Sequence, residues 1–187
     1  MSDFYDFGKV LSYNATMNMI MGARGVGKTY GAKRIVMKNY IERGEEFIYL
    51  RRYKSELKSV SNFFADVAHE FPDHEWRVVG HEAHCRPAGA EKWATCGYFI
   101  PLSTSQANKS TAYPKVTNII FDEFIIEKGS IHYLPDEVKR LYDFYSTVDR
   151  WQDRTRVLML SNAISITNPY FIEYDIEPTK EIVRRGN

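Results

Sequence analysis

Short apolar runs alternate with longer amphipathic stretches along this chain. The run at 17–21 is apolar except for Asn18, and similar runs occur at 46–50, 116–122 and 156–161. Runs of this length predict strands that are buried on both faces. Strands that alternate with helical stretches predict an α/β fold with a central, mostly parallel sheet flanked by helices.

Apolar residues spaced three and four apart predict three helices. They span 28–41, 54–70 and 134–148, and the first is closed by Arg43 and Gly44. We expect the apolar residues of the second stretch to lie in the core. These residues are Leu57, Val60, Phe64 and Val67.

The two ends of the chain lack such periodicity. Residues 1–16 carry aromatic side chains, and we expect an arm that packs on the domain or on a neighbour. We expect the chain after Asn168 and Pro169 to be extended and charged.

The segment 76–98 contains short strand candidates separated by glycine and proline, which predicts a small β-hairpin insertion. It also contains two histidines and both cysteines of the chain: His81, His84, Cys85 and Cys96. Their spacing does not match the paired arrangements that close a zinc site, so a packed hairpin is favoured over a metal site.

A phosphate-binding loop follows the first predicted strand. Gly22, four residues, then Gly27, Lys28 and Thr29 match the P-loop pattern between a strand and a helix. Such a loop cradles phosphates with backbone N–H groups, its lysine reaches the β- and γ-phosphates, and its hydroxyl binds Mg²⁺. The predicted ATP-binding residues of the loop are Gly22, Ala23, Arg24, Gly25, Val26, Gly27, Lys28, Thr29 and Tyr30.

Two further predicted strands end in polar residues. Asp122 is the expected partner of Thr29 in binding Mg²⁺, and Glu123 is the candidate general base that activates water. Asn162 follows the last strand, and we predict that it senses the γ-phosphate or holds the attacking water. A metabolite kinase and a non-hydrolysing nucleotide-dependent assembly module remain the alternatives to an ATPase.

Length and composition fit this reading. The 187 residues suffice for one α/β domain spanning 1–187, and 44% are hydrophobic. No apolar run approaches the roughly 20 residues that span a bilayer, so we expect no membrane partner and a cytoplasmic protein. The net charge of +1 means that a nucleic acid would have to be held by local basic patches.

Hydrolysis of ATP commonly needs an additional arginine, often supplied by a neighbouring subunit. One group of candidates precedes the last strand and another follows the strand at 46–50. They are Arg150, Arg154 and Arg156 in the first group, and Arg51 and Arg52 in the second.

Several segments together resemble the DNA-encapsidation ATPases of phi29-type podoviruses, collinearly from about residue 8 to about 172. They are Gly22 to Tyr30, Phe47 to Lys54 with Val60 to Phe63, Glu70 to Glu75, Lys109 to Pro114, Ile120 to Phe124, Leu160 to Ala163 and Asn168 to Phe171.

This resemblance implies a P-loop fold of the ASCE type, the class in which an additional strand lies between the P-loop strand and the strand of the acidic Walker B motif. It implies a homopentameric ring on the portal vertex of a prohead, double-stranded DNA in the pore, and in some members a scaffold RNA. It also gives Asp122 and Glu123 the Walker B and catalytic roles. Arg150 resembles the arginine finger that acts on a neighbouring subunit, Lys109 resembles a second such residue, and Arg154 remains the alternative finger.

Members of this family continue into a C-terminal RNase H-like domain that engages the portal and the scaffold RNA. This sequence ends at Asn187, so we expect it to be the ATPase domain alone. The resemblance places the protein in the host cytoplasm and transiently on the prohead, and not in the mature virion.

Overall fold

The structure is a computed structural model that describes residues 5–108, 111–127, 129, 131–162, 165 and 167–176. Within this part of the chain, seven strands form one sheet. In chain order the helices and strands are α1 Phe7–Ser12, β1 Met17–Met21, α2 Lys28–Arg43, β2 Glu46–Arg51, β3 His74–Val79, β4 Glu82–Pro87, β5 Ala94–Pro101, β6 Val116–Asp122, α3 Glu137–Asp149, β7 Arg156–Ser161 and α4 Pro169–Glu173.

The strands lie in the order β1-β7-β6-β2-β5-β4-β3. The first five of these are parallel, and β4 and β3 add an antiparallel hairpin at one edge. Strand β7 separates β1, which leads into the P-loop, from β6, which ends at Asp122. The fold is therefore the expected α/β P-loop fold of the ASCE type, and the hairpin insertion is part of its sheet.

Two hydrophobic cores cover the two faces of the sheet. On one face, α1 and α2 pack on alternate residues of the strands, including Phe47 and Ile120. On the other face, α3 and α4 pack on the residues between them, including Ile48 and Phe121. This alternation explains why the parallel strands are apolar throughout.

The predicted helix at 54–70 is wrong, although its apolar pattern correctly identifies core residues. The chain forms short 3₁₀ turns at Lys54–Leu57, Val60–Asn62 and Ala68–Glu70, while Leu57, Phe64 and Val67 are buried. The stretch contains several serines and an asparagine, residue types with low helix propensity, which disfavours a continuous α-helix.

Three other local predictions also fail. Helix α1 lies in the segment expected to be irregular, and the Asp6 side chain caps it by accepting from the Lys9 amide. Helix α4 forms at the start of the segment expected to be extended after Asn168, and residues 177–187 of that segment lie outside the described residues. The Asn168 side chain caps α4, and Pro169 is its first residue. The loop expected at 103–114 begins with a 3₁₀ segment, Leu102–Asn108.

The packing of the arm is visible where residues 5–7 meet α2. Phe7 is 3% exposed, and its ring lies so close to Gly31 that a Cβ there would be 2.8 Å from it. None of the helices in the described residues is long and apolar enough to cross a bilayer.

Candidate active site

Four parallel strands end side by side at one edge of the sheet, which we call the carboxyl edge. Met21 pairs with Ser161, Asp122 with Leu160, and Phe121 with Leu50. Ligands of open parallel sheets bind at this edge. The structure thereby brings together the P-loop, Asp122, Glu123 and Asn162, which the sequence places in three distant segments.

The P-loop itself is shaped by positive backbone φ angles. Gly25 has φ +84° and Gly27 has φ +77°, which glycine tolerates and other residues resist. The Gly22 amide donates to the Ser161 carbonyl at 3.2 Å, which joins the start of the loop to the end of β7. Glycines that turn the backbone in this way form a nest of N–H groups suited to phosphate.

Lys28 points back into the loop. Its ammonium donates to the carbonyl oxygens of Gly22 at 2.7 Å and Ala23 at 2.8 Å. Burial lowers the pKa of Lys28, and the nearby Asp122 carboxylate partly opposes this shift. The lysine therefore sits at the mouth of the nest, where a phosphate would replace its carbonyl partners.

The other loop side chains lie on its rim. Arg24 is largely exposed and pairs with Glu127 at 3.1 Å, and Val26 is also exposed. The Tyr30 hydroxyl hydrogen-bonds to Glu70, which raises the pKa of Tyr30 to about 12.

Thr29 and Asp122 form the candidate metal-binding pair. The Thr29 hydroxyl lies 3.4 Å from each oxygen of the Asp122 carboxylate, and the Tyr49 hydroxyl donates to that carboxylate at 2.8 Å. Burial raises the pKa of Asp122, and Tyr49 and Arg51 partly offset this. A hydroxyl beside a carboxylate at the start of the P-loop helix fits Mg²⁺, which prefers oxygen ligands.

Glu123 occupies a strained turn directly after β6. Its φ of +59° lies in the left-handed region, and its side chain is 43% exposed. The carboxylate accepts from Arg51 at 2.6 Å, and Arg51 also donates to Glu56 at 2.9 Å. A cavity of about 260 Å³ opens beside Glu123 and is lined in part by Glu127 and Ile126.

Two of the predicted arginine-finger candidates are held inside their own chain. Arg52 is 1% exposed and pairs with the buried carboxylate of Glu137. A side chain so enclosed is poorly placed to reach a neighbouring subunit, which argues against Arg52 among the candidate fingers. Arg51 is engaged by Glu123 and Glu56, so its contacts also lie within the chain.

The second group of arginines lies at the opposite end of the strands, which we call the amino edge. Arg154 donates to the Pro114 carbonyl and to the Tyr113 carbonyl at 3.0 Å. Arg156 donates to Asn14 at 2.9 Å and to Asp153 at 3.0 Å. Both side chains are therefore bound within the chain.

Arg150 differs from these two arginines. It ends α3 with φ +50° and is exposed, and no described residue pairs with its side chain. Trp151 follows with φ +62° and is 96% exposed. The buried Asp149 carboxylate fixes this turn by accepting three backbone N–H groups, those of Asp153, Arg154 and Thr155.

Arg150 and the P-loop of the same chain lie at opposite edges of the sheet. Strand β7 has six residues, which at about 3.3 Å per residue separates the edges by roughly 20 Å. Arg150 therefore lies far from its own phosphate-binding loop.

Two further predicted site residues are Asn162 and Lys109. Asn162 is half-buried at the end of β7. Lys109 lies outside the described residues.

Three residues lie in the site that no sequence pattern assigned to it: Tyr49, Arg51 in its role beside Glu123, and Glu56. Tyr49 and Arg51 belong to the end of β2, an apolar run followed by charge. The sequence contains that signal, but only the sheet order shows that β2 lies beside β6.

Relatives of this chain are found among phage packaging proteins. The DNA packaging proteins of Bacillus phages PZA and phi29 are each 47% identical to it over 175 residues, covering 94% of this chain and 51% of theirs. The DNA packaging protein of Bacillus phage B103 is 47% identical over 178 residues. The chain thus spans about half the length of these relatives.

Solved structures agree with the sequence matches. The N-terminal domain of the DNA packaging ATPase from bacteriophage phi29 superposes with a TM-score of 0.85 at 46% identity, covering 94% of this chain and 88% of that domain. A chain of the phi29 genome packaging motor assembly gives a TM-score of 0.82 at 47% identity, covering 94% of this chain and 52% of that one. Residues 1–187 match the Podovirus DNA encapsidation protein (Gp16) family, and the chain belongs to that family.

Proposed function

We propose that this chain is an ATP-hydrolysing motor domain that drives double-stranded viral DNA into a prohead. The observation that carries the proposal is the convergence of Lys28, Thr29, Asp122 and Glu123 on one edge of the sheet, with Thr29 3.4 Å from the Asp122 carboxylate. The similarity to phi29 packaging proteins supports the link to DNA packaging.

The P-loop residues hold the triphosphate of ATP. Backbone N–H groups between Gly22 and Thr29 surround the phosphates, and Lys28 exchanges its carbonyl partners for phosphate oxygens. Thr29 and Asp122 would hold Mg²⁺, which would supply positive charge to stabilise the phosphates. Tyr49 keeps the Asp122 carboxylate oriented through its hydrogen bond of 2.8 Å.

Glu123 acts as the general base. Its carboxylate takes a proton from the attacking water as the bond between the γ-phosphorus and the β-phosphate oxygen breaks. Since Arg51 binds this carboxylate at 2.6 Å in the present structure, Glu123 has to leave Arg51 before it can meet the water. The exposed position of its side chain allows that movement.

Arg150 acts on the site of a neighbouring subunit. It lies roughly 20 Å from its own P-loop, as six strand residues imply, so it cannot stabilise charge there. In a ring, the amino edge of one copy faces the carboxyl edge of the next, and the cavity beside Glu123 gives a cation access. Lys109 has the same proposed role on the basis of the family resemblance.

The proposed partners follow from the family. They are double-stranded DNA, copies of the same chain in a homopentameric ring, and the portal, with a scaffold RNA in members that use one. We assign the portal and RNA contacts to regions of the relatives beyond the matched half. The proposed location is the host cytoplasm and, transiently, the portal vertex of the prohead, and the mature virion lacks the protein.

Glu123→Gln tests this function. The change removes the base and keeps the size of the side chain, so it should lower the ATPase rate by about 10²- to 10⁴-fold while ATP affinity stays close to that of the wild type. ATPase rate should be measured against protein concentration with and without duplex DNA. A Glu123→Gln variant with unchanged turnover would sink the proposal, and phosphate transfer only to an added metabolite would favour a kinase.

A further inference from the structure

A buried ion pair lies directly behind the turn that carries Glu123. Arg52 donates to both oxygens of Glu137, from Nε at 2.7 Å and from Nη2 at 2.8 Å. Their side chains are 1% and 0% exposed. The rings of Phe121 and Tyr133 enclose the guanidinium at 5.6 Å and 5.0 Å.

The same guanidinium also binds the main chain around the proposed base. Arg52 donates from Nη1 to the Glu123 carbonyl at 3.2 Å and from Nη2 to the Phe124 carbonyl at 2.7 Å. These carbonyls belong to the strained turn in which Glu123 has φ +59°. A residue in the left-handed region keeps that conformation only where its surroundings hold it there.

Glu137 is fixed in turn by elements on the far side of the pair. It accepts from the Leu134 amide at 2.8 Å and from the Tyr170 hydroxyl at 2.6 Å. Burial, and then the Glu137 carboxylate itself, raise the pKa of Tyr170, so the hydroxyl stays protonated as a donor. The first turn of α3 and helix α4 therefore anchor Arg52, and through it the turn at Glu123.

Stability alone does not account for such a pair. Burying two charges costs desolvation energy, and replacing a buried pair with apolar residues of similar size is often neutral or stabilising. What apolar residues cannot supply are donors to the two carbonyl groups beside Glu123. Misplacement of a catalytic group by about 1 Å can cost about 10²-fold in rate.

We propose that Arg52, held by Glu137 and Tyr170, is a positioning residue that fixes the backbone turn from which Glu123 reaches the attacking water. The two consecutive arginines then have separate tasks, since Arg51 binds the side chain of Glu123 and Arg52 binds its main chain. This assignment rests on the proposed function of Glu123 as the base.

A double replacement separates positioning from folding. Arg52→Met combined with Glu137→Leu removes both charges and keeps the volume of the site, so no unpaired charge is left buried. The melting temperature should still fall, because four polar groups that the pair binds lose their partners. The variant and the wild type are therefore compared at a temperature at which both are folded. The dissociation constant for Mg²⁺ and ATP should change less than about threefold, whereas kcat should fall about 100-fold. Amide hydrogen exchange at 123–126 should become faster, while exchange in β1 stays unchanged.

The matched control is a second Arg–Glu pair remote from the site. Arg86 contacts Glu75 across the hairpin at 2.5 Å, so Arg86→Met with Glu75→Leu should leave kcat and exchange at 123–126 as in the wild type. Tyr170→Phe is the milder variant, because it removes only one hydroxyl. It should fold and lower kcat by about threefold to tenfold, consistent with the loss of about one hydrogen bond to a charged group.

The rate and the amide exchange of these variants distinguish a positioning role of Arg52 from a purely structural one. Wild-type kcat and unchanged exchange at 123–126 in the folded double variant would show that the pair is only structural. If the double variant does not fold, Tyr170→Phe decides, and unchanged kcat and exchange would overturn the proposal. If the wild type binds ATP without hydrolysing it, the proposed function fails, and exchange at 123–126 still tests the positioning.

Discussion

The two edges of the parallel sheet use their arginines differently. At the carboxyl edge, Arg51 and Arg52 are both bound by carboxylates of the same chain, at 2.6 Å from Glu123 and 2.7 Å from Glu137. At the amino edge, Arg154 and Arg156 bind groups of their own chain, but Arg150 extends into solvent from a turn with positive φ.

The difference in arginine partners indicates which group each edge lacks: the carboxyl edge lacks an unpaired cation, and the amino edge lacks a phosphate-binding loop, among the described residues. The carboxyl edge holds the P-loop and the acidic residues, and the cations described there have partners within the chain. The amino edge has no described phosphate-binding loop and presents a cation without a described partner. Under the proposed function the two edges are complementary, and a complete site would form where the amino edge of one copy meets the carboxyl edge of another.

Arg150→Ala should produce the largest effect of the variants that separate the edges. Loss of an arginine finger typically lowers kcat by about 10³- to 10⁵-fold, whereas ATP binding at the intact P-loop should change little. The measurement is kcat at saturating ATP and protein concentration.

Arg154→Ala is the comparison for that variant. It removes the contacts with the carbonyls of residues 113 and 114, so it should lower the melting temperature with a much smaller loss in kcat. A larger kcat loss for Arg154→Ala than for Arg150→Ala would make Arg154 the finger.

Asp149→Ala should have the next largest effect, because it releases the turn that presents Arg150. Three backbone N–H groups lose a charged acceptor, which should cost about 3 kcal/mol of unfolding free energy. Chemical denaturation measures this difference. Asp149→Asn keeps one acceptor oxygen, so its free energy of unfolding should lie between those of the wild type and Asp149→Ala.

The same carboxylate gives a pH dependence. Burial by itself raises the pKa of Asp149, but the N–H groups of Thr155, Asp153 and Arg154 outweigh it, and the pKa is lowered. A lowered carboxyl pKa contributes stability above its unfolded value of about 3.9. The gap between wild type and Asp149→Ala should therefore close as pH falls through the native pKa, and a constant gap down to strong acid would contradict this.

Tyr49→Phe should have the smallest effect, at the carboxyl edge. Removing one hydrogen bond to the Asp122 carboxylate should weaken Mg²⁺ binding, so the Mg²⁺ concentration needed for half-maximal ATP hydrolysis should rise about fivefold. Since the Tyr49 hydroxyl lowers the pKa of Asp122, its loss should move the acid limit of Mg²⁺ binding to higher pH.

Tyr98→Phe is the matched control at the amino edge. Its hydroxyl donates to Glu46 at 3.1 Å, so this variant loses the same kind of hydrogen bond away from the metal site. Equal Mg²⁺ dependence of hydrolysis in Tyr49→Phe and Tyr98→Phe would show that Tyr49 does not support the Mg²⁺ ligand Asp122.

Sequence patterns predict the parts of the site that are contiguous in the chain. The P-loop and the Asp122–Glu123 pair are short motifs at the ends of apolar runs, and the rule that parallel strands end at one edge brings them together. The Arg52–Glu137 pair joins residues 85 positions apart, and no local pattern indicates it. Arg52 resembles any surface arginine until the sheet order is known.

Local signals also differ in how far they determine structure. The apolar spacing at 57–67 correctly predicts burial but not the backbone, because 3₁₀ turns can bury the same side chains. Helix α4 has an Asn168 cap and a following proline, a start signal that is present in the sequence. Its five residues are too few to show periodicity.

The most direct test of a site shared between two copies is a mixture of two inactive variants. Glu123→Gln subunits keep Arg150, and Arg150→Ala subunits keep Glu123, so a mixed assembly contains some complete sites. An equal mixture should recover roughly a quarter of the wild-type ATPase rate if neighbours in the ring are random. Activity no higher than the mean of the two separate variants, in assemblies shown to contain both, would contradict action of Arg150 on the neighbouring subunit.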